Sequence, residues 1–284
     1  MTTEVTRLST GMAALDHVLG GGLAVASVVL LAGPPGIGRS TLSLQMLAGL
    51  GHRCLYASGE ETREHLEGLA RRIGALTPHL SVLSERNLAT IFTHAREVRA
   101  QTIVIDTIQT ISCEDVNGRH GSPTQVKECV SRLVRYAKTN DTTIWIVGHI
   151  TSDGDIAGPK AIEHDVDVVL RLSRESKFDG AARILKCPHK NRFGPTNAVG
   201  SFELTVEGLV PVNADEGRIF DASLIPRTGP ASDAEIAALR SLASHVASWA
   251  NSDEVDTLLP YRNQGDVLDT LLALSKVYAP GTKP

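Results

Sequence analysis

The segment Ser27-Val-Val-Leu-Leu-Ala32, followed at once by Gly33-Pro-Pro-Gly-Ile-Gly38-Arg39-Ser40-Thr41, constrains this chain more than any other. A short apolar run with β-branched residues reads as a parallel strand buried on both faces. Gly33 and Gly38 let the backbone wrap with its N–H groups facing inward. A helical pattern from Arg39 to Leu50 starts where that turn ends, which brings the partial positive charge of a helix N-terminus to the same place. The spacing G-x-x-x-x-G-[basic]-[Ser/Thr] between a strand and a helix predicts a phosphate cradle; a plain Gly/Pro turn is the alternative reading. The candidate nucleotide contacts are Gly33, Pro34, Pro35, Gly36, Ile37, Gly38, Arg39, Ser40 and Thr41. The Ser40 hydroxyl is the candidate Mg²⁺ contact.

Arg39 departs from the usual form of this loop, which carries Lys. An ammonium is a compact point charge, whereas a guanidinium is longer, planar and forked, so the exchange is not conservative at a packed phosphate site. Backbone and helix dipole still favour phosphate binding. Hydrolysis is more exposed to the change, because it needs charge placed within a fraction of an ångström.

Downstream of the loop, strand-like and helix-like segments alternate. Arg53–Ala57, His79–Leu83, Thr102–Asp106 and Thr142–Gly148 read as strands; Glu61–Ile73, Asn87–Arg99 and Pro123–Lys138 read as helices. That alternation predicts βαβ units and a mostly parallel sheet. Val166–Leu172, Ala181–Cys187 and Gly200–Leu204 follow without helices between them, which predicts an antiparallel hairpin extension. Thr228-Gly-Pro-Ala-Ser reads as a linker. Ser232 with Glu235 is a capping-box pattern, and helical spacing recurs there and from Gln264 to Tyr278. The expected organisation is an α/β core over 1–226 and a linker with a small helical appendage over 227–284.

Composition removes whole classes. With 42% hydrophobic and 21% charged residues the chain is not of the disordered type. No apolar run reaches the ~18 residues of a membrane span. The N-terminus lacks a secretory pattern, so a soluble cytoplasmic protein without a membrane partner is expected. Cys54, Cys113, Cys129 and Cys187 form no C-x-x-C pair, so neither a zinc knuckle nor a disulfide framework is indicated. A net charge of −4 argues against a globally basic nucleic-acid coat, though not against a local basic channel. Aromatics at 4% disfavour a base-stacking platform.

Two further positions complete the candidate chemistry. Asp106 closes the apolar strand Thr102–Ile105 and is the second candidate Mg²⁺ contact; a turn aspartate is the plainer alternative. Glu60 and Glu61 follow the second strand in Ser58-Gly-Glu-Glu-Thr62. A carboxylate there can orient and deprotonate an attacking water, and two acids favoured by a helix N-terminus are the alternative.

Taken together, the chain from about Arg7 to Leu224 resembles the RadA/Sms branch of the RecA-type P-loop ATPases. The resemblance rests on Leu8-Ser-Thr-Gly11 with Leu15-Asp16 and Leu19-Gly-Gly-Gly22, the glycine loop, Ser58-Gly-Glu-Glu61, and Val104-Ile-Asp106-Thr-Ile-Gln109. Gly121-Ser-Pro-Thr-Gln125, Val147-Gly-His149-Ile-Thr151 and Lys190-Asn-Arg192-Phe-Gly194 extend it, the last being the most specific. The family's zinc module and Lon-like domain are not expected in this chain.

The resemblance implies a RecA-like fold, ATP and Mg²⁺ as cofactors, and a hexameric ring on single-stranded or branched DNA that serves recombination, repair or replication. It implies that Lys190 and Arg192 act on a neighbouring subunit's nucleotide or on DNA, that Thr151–Lys160 is a DNA-contacting loop, and that His149 is a sensor at a strand end. Between Arg171 and Arg192 stand seven cations against two acids in an otherwise acidic chain, which supports a local basic surface; a solvated strand face is the alternative. Ser152 stands where the family carries a lysine. Two readings remain open: a DNA-stimulated ATP hydrolase, and a non-hydrolysing ATP-binding adaptor that docks a recombinase or replication partner through its C-terminal helices.

Overall fold

The computed structural model describes residues 5–149, 161–174 and 182–212. The chain divides into two units, Met1–Gly217 and Arg218–Pro284, and every described residue belongs to the first. The expected linker and C-terminal helices lie outside the described residues.

The elements run β1 (Arg7–Leu8), α1 (Ala13–Leu19), β2 (Leu23–Ala24), β3 (Val28–Gly33), α2 (Arg39–Gly49), β4 (Cys54–Ser58), α3 (Arg63–Arg72), β5 (Leu80–Ser84) and α4 (Leu88–Glu97). They continue with β6 (Thr102–Asp106), a 3₁₀ turn (Ile108–Thr110), α5 (Pro123–Thr139), β7 (Thr143–His149), α6 (Ala161–Asp165), β8 (Val168–Arg174), β9 (Ala182–Lys186), β10 (Val199–Thr205) and β11 (Gly208–Pro211). Nine strands form one sheet in the order β11-β10-β9-β8-β3-β7-β6-β4-β5. From β8 to β5 every neighbouring pair is parallel. From β8 to β11 every pair is antiparallel. The expected α/β architecture, a parallel sheet with a hairpin extension, is the one observed.

The unbroken apolar runs follow from burial on both faces. Alternation along β3 sends Val29 and Leu31 into one core cluster and Val28 and Leu30 into the other. The same parity splits Trp145 and Val147 from Ile144 and Ile146 on β7. Trp145 is fully buried, and its indole N–H donates to Ser43 Oγ at 3.0 Å. That bond ties the second turn of α2 to β7.

Helix starts agree with their side-chain signals. Asn87 accepts from the N–H of Ala89 at the head of α4, and Ser122 accepts from that of Gln125 at the head of α5, where Pro123 occupies the first turn. Elements that sequence periodicity alone does not reveal are the shortest ones, β1, β2, β11 and α6, together with α1. Asp16 organises the N-terminal segment by accepting from the Thr10 N–H at 2.9 Å and the Ser9 hydroxyl at 2.7 Å. Gly22 is required there, since a Cβ would lie 2.5 Å from the Leu8 carbonyl oxygen.

Candidate nucleotide-binding site

Parallel register decides which residues meet. Gly33 pairs with His149, Asp106 with Val147, and Ser58 with Asp106. The C-terminal ends of β3, β4, β6 and β7 therefore share one edge of the sheet, the usual location of ligand sites in open α/β folds.

The glycine loop sits at that edge. Gly36 and Gly38 adopt φ of +71° and +110°, a region that side chains with a Cβ rarely enter. Gly38 is the residue before α2 and contributes no side-chain cap, so the first N–H groups of α2 have no competitor from its own cap. A Cβ on Gly33 would lie 2.7 Å from the Leu172 carbonyl oxygen, whereas one on Gly36 would meet nothing within 4 Å. Ile37 anchors the loop by burying its side chain in the core, while Pro35 and Gly36 are exposed.

Ser40 and Asp106 come together as the sequence predicts. The Ser40 hydroxyl donates to Asp106 Oδ2 at 2.7 Å. Tyr56, fully buried on β4, donates its hydroxyl to the same oxygen. Burial pushes the Asp106 carboxyl up from its ordinary value, although the Tyr56 and Ser40 hydroxyls favour its charged form. Two hard oxygen donors this close suit Mg²⁺. Tyr56 is a site residue that the sequence reading missed. Its place two residues before Ser58, on a strand beside Asp106, was the available signal.

The two adjacent glutamates part company. Glu60 Oε1 accepts from the Thr107 hydroxyl at 2.7 Å and lies 3.2 Å from His149 Nε2. Partial burial would raise its carboxyl pKa, but the bonds from Thr107 and His149 outweigh that and hold it below the ordinary carboxylate value. Glu61 faces away, with Oε2 bonded to His65 Nδ1 at 2.8 Å on the exposed flank of α3. Both backbone N–H groups donate to Ser58 Oγ, which sets the turn that separates the two side chains.

The Arg39 guanidinium is engaged by β7. Nη1 donates to the Gly148 carbonyl and Nη2 lies 3.0 Å from His149 Nδ1. Burial lowers its pKa, while Asp106, Glu60 and Tyr56 act in the opposite direction.

Lys190 and Arg192 stand at the other end of the sheet. Arg192 pairs with Asp167 at 3.0 Å, and Asp167 also accepts from the N–H of Val28, where β3 begins. Val28 and Gly33 are five residue steps apart, about 17 Å along β3. Lys190 donates to the carbonyls of Glu163 and His164 at the end of α6. Asn191 donates to Leu19, and Arg7 donates to the Phe193 carbonyl. Within one chain this segment ties the N-terminal segment to the start of the sheet, apart from the glycine loop.

The basic stretch maps onto β8 and β9, where Arg171 faces Lys186 and Arg174 faces Arg183 across the strands. Like charges directly opposite are unfavourable by themselves; Arg174 and Lys186 are exposed, whereas Arg183 is buried. Lys177 and the loop Thr151–Lys160 lie outside the described residues. Among the described residues no helix is long and apolar enough to cross a membrane.

Comparison with known proteins bears on the family and the fold. Residues 7–213 match the model of a family of unknown function, DUF7125. The chain is 45% identical over 212 residues to the DNA repair protein RadA of Pseudomonas aeruginosa, covering 74% of this chain and 46% of that protein. It is 43% identical over 214 residues to the DNA repair protein RadA of Bacillus subtilis, with 74% and 46% covered. The chain thus spans about half the length of the curated relatives it matches. Among solved structures, a KaiC-like protein of Pyrococcus horikoshii superposes with a TM-score of 0.62 at 19% identity, covering 74% of this chain and all of that one. That likeness concerns the fold alone. The resemblance to the RadA branch of the RecA-type ATPases is borne out.

Proposed function

Because this chain belongs to the DUF7125 family, for which no function is described, its activity has to be argued from its own site: we propose an ATP hydrolase of the RadA type that acts on single-stranded or branched DNA. The observation that carries the reading is the Ser40–Asp106 bond of 2.7 Å beneath a glycine loop at the head of α2. Glu60 stands on the same sheet edge, held ionised by Thr107 and His149.

The residues present fit ATP and Mg²⁺. The loop from Gly33 to Thr41 supplies backbone N–H groups and a helix N-terminus to phosphate oxygens, and Ser40 and Asp106 supply oxygen to the metal. Bound Mg²⁺ would neutralise phosphate charge during transfer. Glu60 accepts the proton of the attacking water and orients it. Phosphoryl transfer depends mostly on positioning and charge placement, and the bonds around Glu60 serve that need.

The DNA role is supported by the name shared by the relatives and by the cross-strand cations of β8 and β9. A hexameric ring in the cytoplasm, acting in recombination, repair or replication, completes the proposal. In such a ring Lys190 and Arg192, remote from their own glycine loop, serve a neighbouring subunit or DNA. The adaptor reading, in which ATP is bound and not hydrolysed and the C-terminal segment docks a partner, is favoured by one observation: the Arg39 guanidinium is occupied by β7.

The test is ATP hydrolysis with and without single-stranded DNA, in the native protein and Glu60→Gln. DNA-stimulated turnover that disappears in the variant supports the hydrolase. ATP binding without turnover in both proteins supports the adaptor. Failure to bind ATP overturns both.

A further inference from the structure

Arg39 and His149 meet where the glycine loop touches the end of β7. The guanidinium spans two acceptors on consecutive residues, the Gly148 carbonyl and Nδ1 of His149, the latter at 3.0 Å. Arginine has donors and no acceptor, so Nδ1 is the lone-pair nitrogen of the ring. A neutral imidazole then carries its proton on Nε2, and Nε2 lies 3.2 Å from Glu60 Oε1. The backbone N–H of His149 is directed to Gln109 Oε1 at 3.4 Å, so the end of β7 that carries the ring is tied to the 3₁₀ turn after β6.

We propose that Arg39 is a positioning residue that fixes His149 as its Nε2–H tautomer, and thereby controls the hydrogen bond that His149 donates to Glu60. The proposal deepens the hydrolase reading and rests on it for its purpose, though not for its geometry. It gives a physical reason for arginine at a position where the phosphate-binding loop ordinarily carries lysine. A planar fork can donate to two neighbouring acceptors at once with a fixed angle between the bonds, whereas one ammonium on a flexible stem is not pre-organised to do so. The coupling also has a direction. A phosphate anion at the loop competes for the guanidinium. Once Arg39 leaves Nδ1, that nitrogen can also take the proton, and the bond from Nε2 to Glu60 is no longer fixed from the loop side. Occupancy of the loop is thereby transmitted to the carboxylate through one ring.

The experiment reads the tautomer directly, by nitrogen NMR of the full chain labelled with ¹⁵N-histidine. His149 is assigned by the signals lost in His149→Asn. In the native protein without nucleotide, Nδ1 is expected at the unprotonated position and Nε2 at the protonated one. Arg39→Met is expected to shift both toward the averaged positions of a mixed population. Glu60→Ala is expected to leave the native pattern in place, because the donor to Nδ1 remains. If Arg39→Met keeps the native pattern, or if Glu60→Ala loses it, Glu60 rather than Arg39 sets the tautomer and the proposal is overturned. Should Arg39→Met fail to fold, Glu60→Ala still decides between the two. No nucleotide is added, so the result stands apart from any failure of the protein to hydrolyse ATP.

Discussion

The Thr107 hydroxyl donates to Glu60 across 2.7 Å, while the next residue, Glu61, turns outward to His65. Two chemically identical neighbours thus occupy different worlds: one faces the glycine loop edge, the other lies on the exposed flank of α3.

Glu60→Gln is expected to reduce ATP turnover by about 10²–10⁴-fold, the usual range for a positioned acid or base, with ATP binding retained. Glu61→Gln is expected to leave turnover close to native. Steady-state hydrolysis beside equilibrium nucleotide binding checks the pair, and equal losses in both variants would defeat the assignment of Glu60.

Tyr56→Phe removes a buried hydroxyl from the Asp106 carboxylate. A hydrogen bond to a charged group contributes about 1.5–3 kcal/mol, so a loss of that order is expected in urea unfolding. A native unfolding midpoint would mean that Ser40 alone satisfies Asp106.

Asp167 is 4% exposed in its side chain and answers to Arg192, Lys138 and the N–H of Val28. Asp167→Ala leaves that N–H without its acceptor and is expected to cost about 1–3 kcal/mol. Arg192 is 54% exposed, so Arg192→Ala is expected to cost less than about 1 kcal/mol. Denaturant titration of the two variants ranks them, and the reverse order would contradict the role given to Asp167.

Gly49 ends α2 against the N-terminal segment, where an added Cβ would fall 1.8 Å from the Thr10 carbonyl oxygen. Gly49→Ala is expected to lower the melting temperature through overpacking, at a cost of about 1–3 kcal/mol or more. An unchanged Tm would show that the segment around Thr10 moves aside freely.

All four cysteines are free and buried, and burial pushes the Cys54 thiol up to about 12. Thiolate is the reactive form. A thiol pKa raised in the fold keeps the folded protein in the unreactive form throughout neutral and mildly alkaline pH. Labelling with iodoacetamide at about pH 8 is therefore expected to be slow for the folded protein and rapid after unfolding, counted by mass spectrometry. Fast labelling of any one cysteine in the folded protein would place it at the surface.

Sequence alone determined whatever rests on local periodicity and short-range spacing. The apolar run before Gly33, the loop itself, the helix after it and the strand ending at Asp106 are each specified within a few neighbouring residues. Strand–helix alternation then sufficed for a parallel sheet with a hairpin extension, and the sheet order brought Ser40 to Asp106 as their types and positions implied. Tertiary structure decided what depends on register and on side-chain direction across the sheet. It separated Glu60 from Glu61 through the Ser58 turn, brought Tyr56 to Asp106, and turned Arg39 onto the end of β7. It also set Lys190 and Arg192 at the start of β3 rather than at its end. None of these is encoded by spacing, because residues far apart in the chain meet only once strands are paired, and a one-residue change of register would send every side chain to the opposite face.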